Sequence, residues 1–191
     1  MSELIVGADG RARCPWPGPA DSEYQRYHDE EWGVPLHGEQ PLFERLCLEA
    51  FQSGLSWLII LRKREGFRAA FARFDPKVVA GFDQARMDEL LTNPAIVRNR
   101  AKIAAAVRNA NAVRALDVPL DELLWSFAPD RKTVRHGWDD VPAVTPESTA
   151  MARELKRRGF SFVGPTTCYA LMQATGMVDD HLAGCWRAGL S

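Results

Sequence analysis

Apolar residues recur at helical spacing along most of this chain, and the clearest example is the segment 42–57. Its apolar stripe consists of Leu42, Phe43, Leu46, Cys47, Ala50 and Phe51. Gly54 follows the stripe and predicts a helix end with a left-handed cap. Glu49 lies about two turns from Leu42, at the border of the stripe, and Trp57 comes shortly after it. This pattern is compatible with a carboxylate and an indole that hold a flat polar ligand, and also with a solvated glutamate beside a core tryptophan.

The same periodicity predicts further helices on both sides of this central one. A short helix precedes it, capped by Asp21 or Ser22 and running through His28, and a long alanine-rich helix spans 98–116. Later helices begin near Pro146 and Pro165, because proline suits the first turn of a helix. No stretch alternates long enough to form a sheet, so the predicted fold class is all-α. A long polar loop at 128–145 separates the helices and allows two helical lobes.

Length and composition indicate a single domain. The chain has 191 residues, of which 46% are hydrophobic and 26% charged, enough for a sizeable core. Residues 1–13 show little periodicity and are expected to form a flexible extension before one domain at 14–191. No apolar run has membrane-spanning length, and no secretion signal is recognisable. We therefore expect a cytoplasmic protein without a membrane partner, and we expect it to act as a monomer.

Charge is distributed unevenly along the chain. The net charge of −1 argues against a wholly basic nucleic-acid binder, but residues 62–108 hold eleven basic and five acidic residues. We expect a helix to begin at Arg62, at the start of this stretch. A local basic face of this kind can bind phosphates, although a solvated helix surface would have the same composition.

Residues 90–102 follow the pattern helix, break, helix. The break is Asn93-Pro94-Ala95, and the start of the second helix carries Arg98, Arg100 and Lys102. Free amide groups at a helix N-terminus bind phosphate, and nearby basic side chains strengthen the attraction. The segment could therefore hold a DNA backbone without reading its sequence. An ordinary turn between two helices has the same pattern.

The four cysteines of the chain are not expected to form a disulfide framework in a cytoplasmic protein. Two of them lie in apolar runs and are predicted core thiols. Near the start of the chain, Cys14 and His28 bracket a polar segment, and His181 and Cys185 stand close together near the end. Two sulfur and two nitrogen ligands would complete a closed tetrahedral zinc site that joins the two ends. The spacing alone also fits four unrelated residues.

Four sequence blocks occur in a specific order. They are Tyr27-His28-Asp29-Glu30-Glu31-Trp32-Gly33-Val34-Pro35, Leu48-Glu49-Ala50-Phe51-Gln52-Ser53-Gly54-Leu55-Ser56-Trp57, Arg157-Arg158-Gly159-Phe160-Ser161-Phe162-Val163-Gly164-Pro165-Thr166 and Asp179-Asp180-His181. With these blocks, the chain from Cys14 to Cys185 resembles the 3-methyladenine DNA glycosylase I family. The resemblance implies a helix-hairpin-helix glycosylase fold. It also implies hydrolytic excision of N3-methylated adenine from alkylated double-stranded DNA, the first step of base excision repair.

The resemblance further assigns residues to sites. It implies one structural zinc ion, held by Cys14, His28, His181 and Cys185. It places the carboxylate that contacts the base at Glu49. Its aromatic pocket residues correspond to Trp16, Tyr24, Tyr27, Trp32 and Trp57.

The chemistry of the implied substrate agrees with these residue types. An adenine methylated at N3 is a cation with a weakened glycosidic bond, so strong acid catalysis is not required. The faces of Tyr27 and Trp57 would attract the cation by about 0.5–2 kcal/mol each. Glu49 would accept from the exocyclic amino group and offset the charge. Asp117 is interpreted as a helix-end residue, and no lysine stands out as a Schiff-base nucleophile, so a monofunctional enzyme is expected.

Two departures from the family pattern and two alternative functions stay open at this point. Phe51 stands where a polar residue is expected, which would change the polarity of the pocket or its base preference. Pro94 stands where the hairpin would have glycine, which bears on the phosphate contact. A zinc-stapled DNA-damage binder without catalytic activity is one alternative function. A zinc hydrolase, which needs an open metal position, is the other.

Overall fold

The computed structural model describes residues 4–18, 22–131 and 133–190, and it begins with a small β-hairpin. Strand β1 (Ile5–Val6) pairs antiparallel with β2 (Ala12–Arg13). The segment 1–13 was expected to form a flexible extension; within it, residues 5–13 form this β-hairpin, and residues 1–3 lie outside the described part. Arg13 is only 4% exposed, and its Nη2 donates to Asp9 at 2.7 Å and to Asp29 at 2.8 Å. Strands of two residues are too short to show alternation in a sequence.

The rest of the described chain is helical. Its α-helices are α1 (Glu23–Glu30), α2 (Glu39–Gln52), α3 (Trp57–Ala70), α4 (Pro76–Val79), α5 (Gln84–Thr92), α6 (Arg100–Arg114), α7 (Leu120–Trp125), α8 (Pro146–Arg157) and α9 (Pro165–Ala174). Two short 3-10 turns cover Ala72–Phe74 and Trp138–Asp140. Within the described ranges, no helix is both long enough and apolar enough to span a membrane. Apart from the β-hairpin, the fold class is all-α, as predicted.

Helix α2 is the centre of the structure. It packs against α3, α6, α7 and α9, and its predicted apolar stripe is buried. Burial of each large apolar side chain in the stripe stabilises the fold by about 1.5–3 kcal/mol. The helix ends at Gln52, and Gly54 has a φ of +79°, so the predicted left-handed residue after the helix is confirmed.

Helix α3 begins earlier than predicted. It starts at Trp57 rather than at Arg62, and Ser56 is its N-cap. Trp57, Ile60 and Leu61 are buried at helical spacing, whereas Arg62 lies on the outer face. The charged run therefore marks the solvent side of an existing helix and not its start.

The segment 90–102, predicted as helix, break, helix, joins α5 to α6, and its turn rests on α3. We call it the α5–α6 hairpin, or the hairpin. The side chain of Asn93 accepts from the amide of Ala95 at 2.9 Å and forms the tight break. A Cβ on Gly66 of α3 would collide with the carbonyl of Ala95, so the two backbones approach as closely as glycine allows. Lys63 Nζ donates to the carbonyl of Pro94 at 2.6 Å. One end of α3 thus supports the hairpin, and its other end begins at Trp57.

Candidate functional site

A cavity of about 270 Å³ lies where α1, the end of α2, the start of α3 and α9 meet. This volume is close to the lower end of the range for ligand pockets, about 300 Å³. The wall is formed by Trp16, Tyr24, Tyr27, Trp32, Glu49, Gln52, Trp57, Trp138, Ala170, Gln173 and Ala174. Because these residues come from both halves of the chain, the site exists only in the folded protein.

Aromatic rings form most of the wall, and all five predicted aromatic residues take part. The ring of Trp16 meets Tyr24 at 4.9 Å and Trp32 at 5.1 Å between centroids, in edge arrangements. The rings of Tyr27 and Trp57 lie 5.4 Å apart. The indole N–H groups of Trp16 and Trp57 are buried and have no hydrogen-bond partner among the described residues. Buried donors without a partner are rare, so a polar ligand or water is expected to meet them.

Glu49 is the carboxylate of the cavity. It is 4% exposed, which excludes the interpretation as a solvated border residue. Its environment raises its pKa from 4.5 to about 7, because burial opposes the charge more strongly than Arg45 favours it. No hydrogen bond from a described residue contributes to this balance. Glu49 therefore presents an unpartnered acceptor to the cavity.

Arg45 stands one helical turn before Glu49, behind the aromatic wall. Its Nη1 donates to the phenol oxygen of Tyr27 at 2.9 Å. Its guanidinium lies 5.4 Å from the ring centroid of Tyr27 and 5.2 Å from that of Trp57. Since the phenol oxygen already accepts from Arg45, the proton of Tyr27 is left for another acceptor. Burial raises the pKa of Tyr27, so the phenol keeps this proton.

Sequence reasoning missed the wall that α9 contributes. Ala170, Gln173 and Ala174 line the cavity at the spacing of one helix face. That spacing was visible in the sequence, but it marks a buried face without showing what the face covers. The amide nitrogen of Gln173 donates to Asp180 at 2.8 Å. Trp138 of the long loop, which also lines the cavity, carries no periodic signal.

Phe51 does not alter the cavity in the way expected. It is 1% exposed, and its ring lies 4.7 Å from Phe67 and 5.7 Å from Phe71 between centroids. Phe51 therefore belongs to the hydrophobic core on the other side of α2, because residues two positions apart on a helix point in nearly opposite directions, about 200° apart. The polarity of the cavity is set by Glu49 and not by this neighbour.

The predicted cysteine and histidine residues form a buried cluster. Ligand atoms of Cys14, His28 and Cys185 all lie within 4.8 Å of one another, and Cys185 Sγ is 3.6 Å from His28 Nε2. The ring of His181 lies 5.1 Å from that of His28, and its Nε2 is buried without a partner among the described residues. The pKa of Cys185 is lowered, because its sulfur receives hydrogen bonds from Cys14 and His28.

Carboxylates hold the outer nitrogen of each histidine in this cluster. Asp29 lies 2.8 Å from His28 Nδ1, and Asp179 lies 2.8 Å from His181 Nδ1. Such contacts fix the ring orientation and leave Nε2 for a metal. Cys14, His28 and Cys185 therefore bring two sulfur atoms and one nitrogen atom together as possible metal ligands, and the buried ring of His181 lies next to this group.

The three predicted contacts to the DNA backbone do not lie in equivalent positions. Arg98 is exposed on the hairpin, and the exposed Arg100 pairs with Asp88 at 2.7 Å. Lys102 is 8% exposed, and its Nζ donates to the carbonyls of Phe51 at 2.8 Å and Ser53 at 2.5 Å. The structure therefore corrects the role of Lys102, since its ammonium group satisfies the last carbonyls of α2.

Asp117 lies outside the cavity. It is exposed just beyond α6, and its carboxylate pairs with Arg158. This position agrees with its interpretation as a helix-end residue.

Fold and site together define a class: a helical protein that has an aromatic cavity with a buried carboxylate and, elsewhere on its surface, a helix-turn-helix segment with exposed arginines. Residues 16–188 match the family model described as methyladenine glycosylase, and the chain belongs to this family.

Individual relatives agree with the family assignment. The chain is 46% identical over 178 residues to the DNA-3-methyladenine glycosylase of Haemophilus influenzae, covering 91% of this chain and 96% of that protein. It is 42% identical to DNA-3-methyladenine glycosylase 1 of Escherichia coli, covering 91% and 95%.

Solved structures also agree with the family assignment. A crystal structure of a 3-methyladenine DNA glycosylase I is 44% identical with a TM-score of 0.87, covering 91% of this chain and 98% of that one. The Staphylococcus aureus enzyme, described for its recognition of 3-methyladenine, is 35% identical with a TM-score of 0.83, covering 90% and 94%.

Proposed function

We propose that this chain is a monofunctional DNA N-glycosylase that excises 3-methyladenine from alkylated DNA and so initiates base excision repair. The observation that carries the proposal is the buried, unpartnered carboxylate of Glu49 in a cavity of electron-rich rings. A neutral purine gains little from such a carboxylate, whereas a methylated, cationic adenine gains both a hydrogen bond and a counter-charge. The names of the relatives support the same substrate.

The reaction starts with extrusion of the damaged nucleotide from the duplex. Flipping costs a few kcal/mol and costs least for a poorly stacked, damaged base. Leu55 is 37% exposed in the loop between two cavity residues, Gln52 and Trp57. An apolar side chain in this position suits insertion into the gap that the flipped base leaves.

The flipped base is held between aromatic faces, with the carboxylate of Glu49 on its amino group. The bond between C1′ and the base nitrogen breaks, and its electron pair neutralises the cationic base. Water bonds to C1′ through its oxygen and loses a proton to solvent. The products are free 3-methyladenine and an abasic sugar. Strong acid catalysis is not needed, because the leaving group is already charged.

The hairpin of α5 and α6 supplies the grip on DNA in this proposal. It corresponds to the hairpin of a helix-hairpin-helix fold, in which amide groups at the start of α6 and the exposed Arg98 and Arg100 face phosphates. We assign α4, α5 and α6, which pack together, to one lobe and α8 and α9 to the other. The enzyme would act on double-stranded DNA as a monomer.

We also propose that Cys14, His28, His181 and Cys185 bind one structural zinc ion. The separation of 3.6 Å between Cys185 Sγ and His28 Nε2 is close to the edge of a tetrahedron with metal bonds of about 2.3 and 2.0–2.1 Å. The orphaned Nε2 of His181 supports a fourth ligand. The ion would fasten the ends of the chain together and take no part in the reaction.

Chromatography of the bases released from methylated duplex DNA tests the proposed activity. The purified protein should release free 3-methyladenine. Glu49→Gln should lower release about a hundredfold, because it removes the charge while keeping the shape. Binding of the duplex should change little.

Glu30→Gln is the matched control, since Glu30 is exposed at the end of α1. It should release the base at the wild-type rate. Binding of damaged DNA without any released base would indicate a damage binder and would overturn the proposal.

A further inference from the structure

Gln173 is a polar residue of the cavity wall that the mechanism above does not use. Its side chain lies on the cavity face of α9, opposite the helix that carries Glu49. Its Nε2 donates to Asp180 Oδ2 at 2.8 Å. The amide group is therefore not free to rotate.

Asp180 fixes which end of the amide points away from it. Asp180 is 2% exposed and accepts from the hydroxyl of Tyr169 at 2.6 Å and from Arg135 Nε at 2.7 Å. A carboxylate surrounded by donors can receive only the N–H₂ end of a carboxamide. The carbonyl oxygen Oε1 of Gln173 must then point away from Asp180, and no donor among the described residues meets it.

The carboxylate of Asp180 is also connected to the loop that contributes Trp138 to the cavity wall. Arg135 binds Asp180 through Nε and the carbonyl of Asp140 through Nη1 at 3.0 Å. Asp140 ends the short turn that begins with Trp138, a residue of the cavity wall. One buried carboxylate thus orients the amide on α9 and holds the loop beside it, so the orientation of the amide is set before a ligand arrives.

We infer that Gln173 is a specificity-determining residue, whose Oε1 accepts a hydrogen bond from the exocyclic amino group of the flipped base. The inference rests on the proposed function and names how that site recognises adenine. Together with Glu49, Gln173 gives the cavity two acceptors for the two protons of one amino group. A base with a carbonyl at the same ring position would place its oxygen against the Glu49 carboxylate and Gln173 Oε1, and the three acceptors would repel one another. The pair therefore selects adenine derivatives over guanine and hypoxanthine derivatives of the same charge.

Competitive inhibition by two free bases tests this inference. 3-Methyladenine and 3-methylhypoxanthine share the methyl group and ring and differ at the position of the amino group. Wild-type protein should prefer 3-methyladenine by at least about tenfold, the size expected for one well-placed hydrogen bond and one avoided repulsion. In Gln173→Leu the preference should fall about tenfold, through weaker binding of 3-methyladenine. Gln173→Met, which is unbranched, should behave in the same way if the leucine variant folds poorly.

Gln40→Leu is the matched control. Gln40 is exposed at the other end of α2, and its amide also donates one hydrogen bond, to the carbonyl of Arg73 at 2.7 Å. It should keep the wild-type preference. Retention of that preference in both folded Gln173 variants would overturn the inference, as would a wild-type protein that does not discriminate between the bases.

Failure of the proposed function is a separate result. In that case, the wild-type protein would release no 3-methyladenine from methylated DNA. Binding of the two free bases can still be measured by quenching of tryptophan fluorescence, because four tryptophans line the cavity.

Discussion

At the scale of residues, Arg45 and Glu49 together decide which protonation state the cavity presents. Burial alone would keep Glu49 protonated, and the nearby guanidinium works against that effect. The result is a pKa of about 7. A cationic base would lower it further and hold the carboxylate in its charged form.

The rate of base release should therefore depend on pH through Glu49. In the wild-type protein, kcat/KM should rise with pH through about 7, as the raised pKa of Glu49 is passed and the carboxylate forms. Arg45→Met should move this rise to higher pH, because it removes the charge that favours the carboxylate. A shift of one unit would lower release about fivefold at pH 7.

Arg64→Met is the control for this pH profile. Arg64 pairs with Glu31 at 2.5 and 2.9 Å and does not contribute to the pKa of Glu49. Its profile should match the wild type. A shift to lower pH in Arg45→Met would contradict the assigned role of Arg45.

Single residues also show where sequence reasoning succeeds. The helix cap at Gly54 was predictable, because a left-handed residue after an apolar stripe has a local cause. Glu49 and the aromatic wall were assigned through the family resemblance. Arg45 and Gln173 were missed, because helical spacing shows that a side chain is buried but not which distant groups share its space. Their partners lie 18 and 7 residues away along the chain, beyond any local pattern.

At the scale of elements, two basic residues near the start of α6 point in different directions. Arg98 faces solvent before the helix, whereas Lys102 turns inward to the end of α2. The helix that is proposed to meet DNA is thus tied to the helix that carries Glu49. The sequence showed the basic cluster but could not show this division, which depends on where α2 ends.

Substitutions at these two positions should separate DNA binding from pocket integrity. Arg98→Ala should weaken DNA binding about equally for all sequences and reduce the salt dependence by about one phosphate contact. Lys102→Met should instead weaken binding of free 3-methyladenine and lower stability by about 1–3 kcal/mol, because two carbonyls lose their donor. Salt titrations of DNA affinity, base-binding titrations and urea unfolding measure these effects. Equal salt dependence in the two variants would argue against the division.

The contact between α3 and the hairpin is a second feature at this scale. Gly66→Ala should displace the hairpin and cost about 1–3 kcal/mol of stability, because the added methyl group meets the backbone of Ala95. DNA affinity should fall as well. Gly81→Ala is the control, since its methyl group would meet only the carbonyl of Val78 at an ordinary 3.4 Å. Urea unfolding and DNA titration of both variants provide the test, and similar stability losses would refute the steric argument.

At the scale of the whole molecule, the cysteine and histidine cluster joins residues that are far apart in sequence. Cys14 and His28 come from the first helix and the segment before it, and His181 and Cys185 come from the segment after α9. Neither pair could bury its polar atoms alone. The sequence suggested the pairing by residue type, but only the fold shows that the ends meet.

Metal analysis should show one zinc per chain in the wild-type protein and none in Cys14→Ala. A chelator should lower the melting temperature of the wild type, because metal binding contributes directly to folding stability. Cys47→Ala is the control: Cys47 is buried in α2, away from the cluster, and its variant should keep the metal. Metal retained by Cys14→Ala would contradict the proposed ligand set.

The position of α3 has a consequence for how the length of this chain can vary. Trp57 in the cavity wall and Gly66 under the hairpin stand nine residues apart on one helix, about 14 Å along its axis. In the proposed complex with DNA, this helix would set the distance between the flipped base and the hairpin that holds the phosphates. Adding or removing one residue between these points would rotate Gly66 by about 100° about the helix axis relative to Trp57. Substitutions along this stretch can therefore be tolerated, whereas an insertion or deletion would change the distance and orientation between the cavity wall and the hairpin.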